Sequence, residues 1–263
     1  MASFLQQLIP QLKFDGPPVA LLRAHKTAGE SFSAGLECAF RDRDICDRTF
    51  TWQFHSGAGE GPFPYRYLQG HIGLPTADRL LPDARLVTIL RDPVRRLLSS
   101  YFYWRSQSAR AKDEWDAHEV ALRIADISLL EFLESEDPVI RRATYNVQAR
   151  LLAGADYGTT SAERTQLFGH EDTPASELAE RAVAGMDRFA VVATVSRFQD
   201  SMSHAYAALG LPGKAIAVEK NRTPSKYVDQ PITDEVVAAA RRLTEADEVL
   251  FEAAEARLAR ECG

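Results

Sequence analysis

Two short apolar runs, each leading through a polar turn into a helix, constrain this chain more than anything else in it. VALLR (Val19 to Arg23) runs into AHKTAGES and then into SFSAGLECAF, which reads as a helix. ARLVTIL (84–90) runs into RDPVRRLLSSYFYWR. There Asp92 can cap a helix, and Pro93 takes its first position, where a missing N–H costs nothing. Short apolar runs bounded by turns read as buried strands. FAVVATV (189–195) is a third. Strands separated by helices imply an α/β fold in three layers, a central parallel sheet flanked by helices.

The other elements follow from period and punctuation. Residues 50–75 carry six aromatics among Gly and Pro with no regular period, which reads as a long ordered loop, with a short helix at 76–80. Ser128 and Glu131 form a capping box. PVIRRATYNVQARLLAG reads as one helix ending near Gly154, and residues 155–173 as an exposed excursion. ASELAERAVAGM is an amphipathic helix, and another runs from Arg197 to a stop at Gly210. Two C-terminal helices close the chain, the second capped by Thr244 with Asp247 in its first turn. At 263 residues the whole chain reads as a single domain with its core at about 18–255.

Composition narrows the function classes. The net charge of −6 argues against a general nucleic-acid binder. No apolar run approaches the roughly 20 residues of a membrane span, and the start lacks the pattern of a secretory signal. Cys38, Cys46 and Cys262 cannot complete a disulfide framework and form no CxxC pair, so reduced thiols in a cytoplasmic protein are expected. No metal site is expected. Only six of the 31 Lys and Arg are Lys, and Arg suits bidentate contacts to phosphate or carboxylate.

In a parallel α/β sheet, ligands bind beyond the carboxyl ends of the strands. His25-Lys26-Thr27-Ala28-Gly29-Glu30-Ser31 sits there, with backbone N–H groups at a helix start, one ammonium and two hydroxyls. It resembles a phosphate-binding loop, but its Lys precedes the Gly, unlike GxxxxGK[ST], so the usual Mg²⁺-nucleotide arrangement is missing. The same residues can also make a plain strand-to-helix turn. Arg91 leaves the second strand at the same edge, and Ser99 lies about two helical turns further along. Two anion sites on one rim suit a ligand phosphorylated at two distant positions.

These motifs resemble the sulfotransferases that use 3′-phosphoadenosine-5′-phosphosulfate (PAPS), and among them the carbohydrate branch of the heparan 2-O type. Arg23 to Ser31 is similar to that branch's PKTAGTS-type loop, with His25 in place of Pro and Glu30 in place of Thr. RDPVRRLLSSYFYWR matches RDPxxRxxSxYxY. Asn146-Val-Gln148-Ala-Arg150-Leu-Leu-Ala-Gly154 resembles the family's NxQTRxLxG helix, and VVATVSRFQDSM and Asp247 to Phe251 are weaker echoes.

The resemblance implies a P-loop-like fold and in-line transfer of a sulfuryl group, without metal, from PAPS to an acceptor hydroxyl. It implies that Lys26 and the loop from Thr27 through Ala28, Gly29 and Glu30 to Ser31 hold the 5′-phosphosulfate. Arg91 and Ser99 would hold the 3′-phosphate, with Arg96 at a further motif position. The branch's catalytic His follows a Gly, which points to Gly70-His71. A second His two positions earlier is Gln69 here, so that pair is lost. His55 and Glu60 are alternative bases, and His71 can also be a histidine bonded for structure. His25 is expected to shape the loop. Lys220 or Arg222 is a candidate lid over the cofactor, though a solvated loop fits as well.

The acceptor is expected to be the hydroxyl of a glycan, lipid or small natural product, handled by a bacterial-like cytoplasmic enzyme with no nucleic-acid partner and no stable membrane insertion. The sequence leaves the oligomeric state open. The competing readings are a P-loop-type kinase or NTPase, and a non-catalytic nucleotide-binding protein.

Overall fold

The computed structural model describes residues 13–55, 63–111, 119–216 and 230–262. Four parallel strands, β1 (Val19–Leu22), β2 (Tyr67–Gly70), β3 (Arg85–Leu90) and β6 (Phe189–Thr194), form one sheet in the order β2-β1-β3-β6. Leu22 pairs with Gly70 on one side and Thr88 on the other. The chain thus leaves β1 for β2, then crosses back to β3 on β1's far side. The strands beside the crevice at such a reversal are β1 and β3.

Both faces of the sheet are covered, which is why β1, β3 and β6 read as near-continuous apolar runs. On one face Val19, Leu21, Tyr67, Val87, Ile89 and Val191 pack with α1 (Gly29–Glu37) and α9 (Phe198–Leu209). On the other, Ala20, Leu22, Leu68, Leu90 and Val192 pack with α7 (Val147–Leu152), α8 (Ala175–Gly185) and α11 (Glu245–Cys262). A separate helical core joins α3 (Pro93–Ala111) to α4 (Glu119–Arg123), α5 (Leu129–Leu133), α6 (Pro138–Thr144) and α10 (Asp234–Arg242). Trp104, Phe132, Ile140 and Val236 are buried there. Among the described residues, no helix is long and apolar enough to cross a membrane.

Asp92 accepts from the Arg95 amide at 2.8 Å, and Pro93 opens α3 as expected. The Ser128–Glu131 box opens α5, and Gly210 closes α9 with φ 68°. Four expectations are corrected. The stretch 50–75 is not all loop: Tyr67–Gly70 is edge strand β2, too short at four residues to show a period, and α2 (Leu74–Leu80) starts earlier than expected. PVIRRATYNVQARLLAG is two helices, because Asn146 turns left-handed (φ 40°) between α6 and α7. Apolar residues on both sides of the break keep the helical spacing and hide it. Residues 155–173 hold the hairpin of β4 (Asp156–Tyr157) and β5 (Leu167–Phe168), with Tyr157 and Leu167 buried. Lastly, the Thr244 hydroxyl donates to the Ala240 carbonyl at 3.0 Å. Two amides in the first turn of α11, those of Ala246 and Asp247, donate instead to Asn146 Oδ1, at 2.9 and 3.2 Å.

Candidate functional site

The turn after β1 is held in an unusual shape. Lys26 and Ala28 both have left-handed backbones, φ 67° and 56°. Such positions cost of order 1–3 kcal/mol for residues other than Gly and persist where the surroundings enforce them. Here Thr27 Oγ1 donates to the Ala24 carbonyl at 3.0 Å, and the Ser31 and Phe32 amides donate to the Ala28 carbonyl at 3.0 and 3.1 Å. Gly29 opens α1 under the Arg23 side chain, whose Cδ would lie 2.4 Å from a Cβ at this position. The amides of Gly29 and Glu30 fall in the first turn of α1, where a helix offers no carbonyl four residues back. Successive N–H groups beside left-handed residues make a concavity suited to an anion.

The second turn meets the first. Arg91 Nη1 donates to the Lys26 carbonyl at 3.0 Å, so both loops face one spot. The Lys26 ammonium lies 4.4 Å from the centre of the Tyr103 ring on α3. Burial, with help from the nearby Arg91 charge, lowers the Lys26 pKa to about 8. Burial also lowers that of Arg91, against the pull of Asp92. Glu30 does not face this space as a lone carboxylate: Arg23 Nη2 holds its Oε1 at 2.5 Å. Two cations held close, with Glu30 of the turn bonded to Arg23, create a field that favours an anion.

Arg91 is fixed from behind. Gln148 Oε1 accepts from the Arg91 amide at 2.9 Å, and Gln148 Nε2 donates to the Arg91 carbonyl at 3.0 Å. Asn146 caps α11, and Asp247 of α11 returns a bond, its Oδ1 accepting from the Ala149 amide at 2.7 Å. Arg150 donates to the carbonyls of Gly169 (2.8 Å), Leu167, Arg142 (3.4 Å) and Tyr145 (3.5 Å). The Asn, Gln and Arg of the NxQxR stretch are thus three anchors for α7. Arg96 is fully buried, 4.0 Å from Asp247 Oδ2, and belongs to this support rather than to the open rim. Burial lowers the Arg96 pKa and raises that of Asp247.

His71 follows β2. Gly70 is required before it: a Cβ there would meet the Thr49 carbonyl oxygen at 2.0 Å. The His71 amide donates to Thr49 O at 2.8 Å, and its carbonyl accepts from the Thr51 amide at 3.2 Å. His71 Nδ1 lies 3.0 Å from the Arg23 carbonyl. A carbonyl only accepts, so Nδ1 carries the proton and Nε2 is the basic nitrogen. The Tyr157 hydroxyl donates to the same carbonyl at 3.2 Å. Asp156 ties this wall together, accepting from Thr51 Oγ1, the Gly73 and Tyr157 amides, and the amide and hydroxyl of Thr76, all within 3.0 Å.

The structure therefore brings Lys26, the 27–31 turn and Arg91 together, with His71 bonded to the residue that opens the turn. Ser99 is half-buried on α3. His55 is exposed and bonds the Thr51 carbonyl at 3.0 Å. Glu60, Lys220 and Arg222 lie outside the described residues. Among the described residues no cluster of His, Cys, Asp or Glu could hold a metal ion. Sequence reasoning missed Tyr103, Asp156 and Tyr157. Only Tyr103 carried a signal, as part of the RDP helix pattern. Gln148 was legible as a motif residue but not as a clamp on Arg91.

No protein-family model matches the chain, and no curated protein sequence matches it.

Proposed function

We propose that this protein is a PAPS-dependent O-sulfotransferase with a P-loop-like fold, acting in the cytoplasm on a glycan, lipid or small natural-product hydroxyl. The observation that carries the reading is the Arg91–Lys26 bond at 3.0 Å. It sets two cationic turns side by side at the β1/β3 crevice, as a nucleotide with phosphates at two positions needs. On this reading Thr27 to Ser31 and Lys26 hold the 5′-phosphosulfate, Arg91 and Ser99 hold the 3′-phosphate, and Arg222 belongs to the cover.

The chemistry follows from the site's charges. The acceptor oxygen attacks sulfur as the bond from sulfur to the 5′-phosphate oxygen breaks. Negative charge grows on that leaving oxygen, where the Lys26 ammonium and the α1 amides stabilise it. His71 Nε2 takes the acceptor's proton, a role suited to a group that titrates near working pH. The products are a sulfate ester and 3′,5′-adenosine bisphosphate.

Calorimetry with 3′,5′-adenosine bisphosphate is the first test. Binding at micromolar concentration, weakened at least tenfold in Arg91→Ala, is expected. No heat at high micromolar ligand removes the proposal. Magnesium-dependent ATP turnover instead would favour a kinase or NTPase. Sulfuryl transfer lost in both Lys26→Ala and His71→Ala would exclude a non-catalytic nucleotide binder.

A further inference from the structure

Two imidazoles share one wall of the site. The rings of His25 and His71 lie face to face, their centres 3.5 Å apart and their planes 12° from parallel. Both are buried, 8% and 7% exposed. Tyr157 stands edge-on to both at 6.0 and 5.6 Å, Phe50 lies 5.4 Å from His71, and Trp104 lies 6.4 Å from His25. The position that supplies one ring is the first of the HKTAGES turn. The other ring comes from the end of β2, and the edge pairing of β2 with β1 brings them together.

Face-to-face imidazoles tolerate one positive charge between them, whereas two would repel at contact distance. The charged groups on the described elements around the pair are these. In the β1–α1 turn these are Lys26, a cation, and Arg23, whose partner Glu30 is already bonded to it. Across the crevice Arg91 adds another cation. From β4 come the Tyr157 phenol, kept neutral by burial, and Asp156, both of whose oxygens are held by hydrogen-bond donors. On the 48–55 segment Arg48 lies over Phe54, and His55 turns to the Thr51 carbonyl. Tyr103 on α3 carries the Lys26 ammonium on its ring.

We propose that His25 and His71 titrate as one unit that carries at most one positive charge, and that His25 is a positioning residue fixing the plane of His71 and keeping it neutral at working pH. The single charge stands on the stacking alone. The value of a neutral His71 as a base rests on the function proposed above.

The test is an NMR titration of the full chain, labelled in the side chains of its six histidines, across pH 4.5–9. Two imidazoles are expected to give linked two-step curves. His25→Phe keeps a stacked ring and removes the charge, so His71 should then titrate in one step about one pH unit higher. The acid limb of the kcat/KM profile for sulfuryl transfer should move up by the same amount. His25→Ala, which loses the stack, should lower kcat about tenfold. A one-step His71 curve in the wild type, superimposable on that of His25→Phe, overturns the pair. If His25→Phe does not fold, the wild-type curve shape decides alone. Linked curves with no sulfuryl transfer in any form keep the pair and remove the enzymatic reading. Independent curves with transfer intact do the reverse.

Discussion

The cationic rim and the polar hub behind it are built from the same kinds of residue and behave oppositely. In the hub, Asn146, Gln148, Arg150 and Asp247 each bond backbone groups, joining α6, α7, α11, the β4–β5 hairpin and the Arg91 turn. At the rim, Lys26 has a left-handed backbone and a lowered pKa, with Arg91 as a second cation beside it. Buried polar groups with partners hold a fold in one arrangement. Like charges gathered at an edge create a field that a bound anion would relieve, which is what the proposed function asks of the rim.

Breaking the hub is expected to have the largest effect, and on stability. Arg150→Met leaves carbonyls of Gly169, Leu167, Arg142 and Tyr145 without their donor. A loss of about 3–5 kcal/mol in urea unfolding is expected, as for several buried carbonyls left without a donor at roughly 1–3 kcal/mol each. A loss below about 1 kcal/mol would mean that water replaces the guanidinium freely and the hub is not buried support.

The rim should answer with the opposite sign. Lys26→Gly removes a desolvated charge and relaxes a left-handed residue, so the protein should gain about 1 kcal/mol of stability. The same change should cut sulfuryl transfer about 10²–10³-fold, the scale for losing one stabiliser of developing charge. Stability that falls together with activity would place Lys26 among the supports and erase the contrast.

Gln148 lies on the boundary between the regions and sharpens it. Its amide brackets the Arg91 backbone with two hydrogen bonds, 2.9 and 3.0 Å. Gln148→Ala should cost about 1–3 kcal/mol in stability, for the Arg91 groups left without partners. It should also weaken 3′,5′-adenosine bisphosphate binding about tenfold by loosening Arg91. Melting temperature and calorimetry on the same sample separate the two effects.

How far each region was legible follows from where its signals lie. The rim is local: a strand, a turn and a helix cap are contiguous in VALLRAHKTAGES and in RDPVRRLLSS, so period and punctuation expose both. The hub is assembled across the chain. Asn146 caps a helix that starts about 100 residues later, and nothing near Thr244 reveals that its own hydroxyl is committed to the preceding turn. The wall carrying His71 fell between these cases. Gly70-His71 could be picked out, but β2 was too short to see. Without β2 beside β1, nothing brings His25 against His71. Tyr157 stayed hidden because a two-stranded hairpin of two residues per strand looks like surface loop.

The smallest effect is the one that reads the rim's charge directly. Burial and then Arg91 lower Lys26 to about 8, against an ordinary 10.5. Between those values the unfolded chain holds a proton that the folded, ligand-free chain has released. The Lys26 contribution to stability therefore rises with pH across that window, and below it the full cost of the buried ammonium remains. A bound phosphate reverses the balance by favouring the ammonium. Binding of 3′,5′-adenosine bisphosphate at pH 8.5–9 should therefore take up protons, seen as a calorimetric heat that changes with the ionisation enthalpy of the buffer. Affinity should fall by up to about tenfold per pH unit above 8. Lys26→Met should bind more weakly and lose the buffer dependence. A heat that ignores the buffer in the wild type would mean that Lys26 is already charged before ligand arrives, and that the rim is not held in wait for an anion.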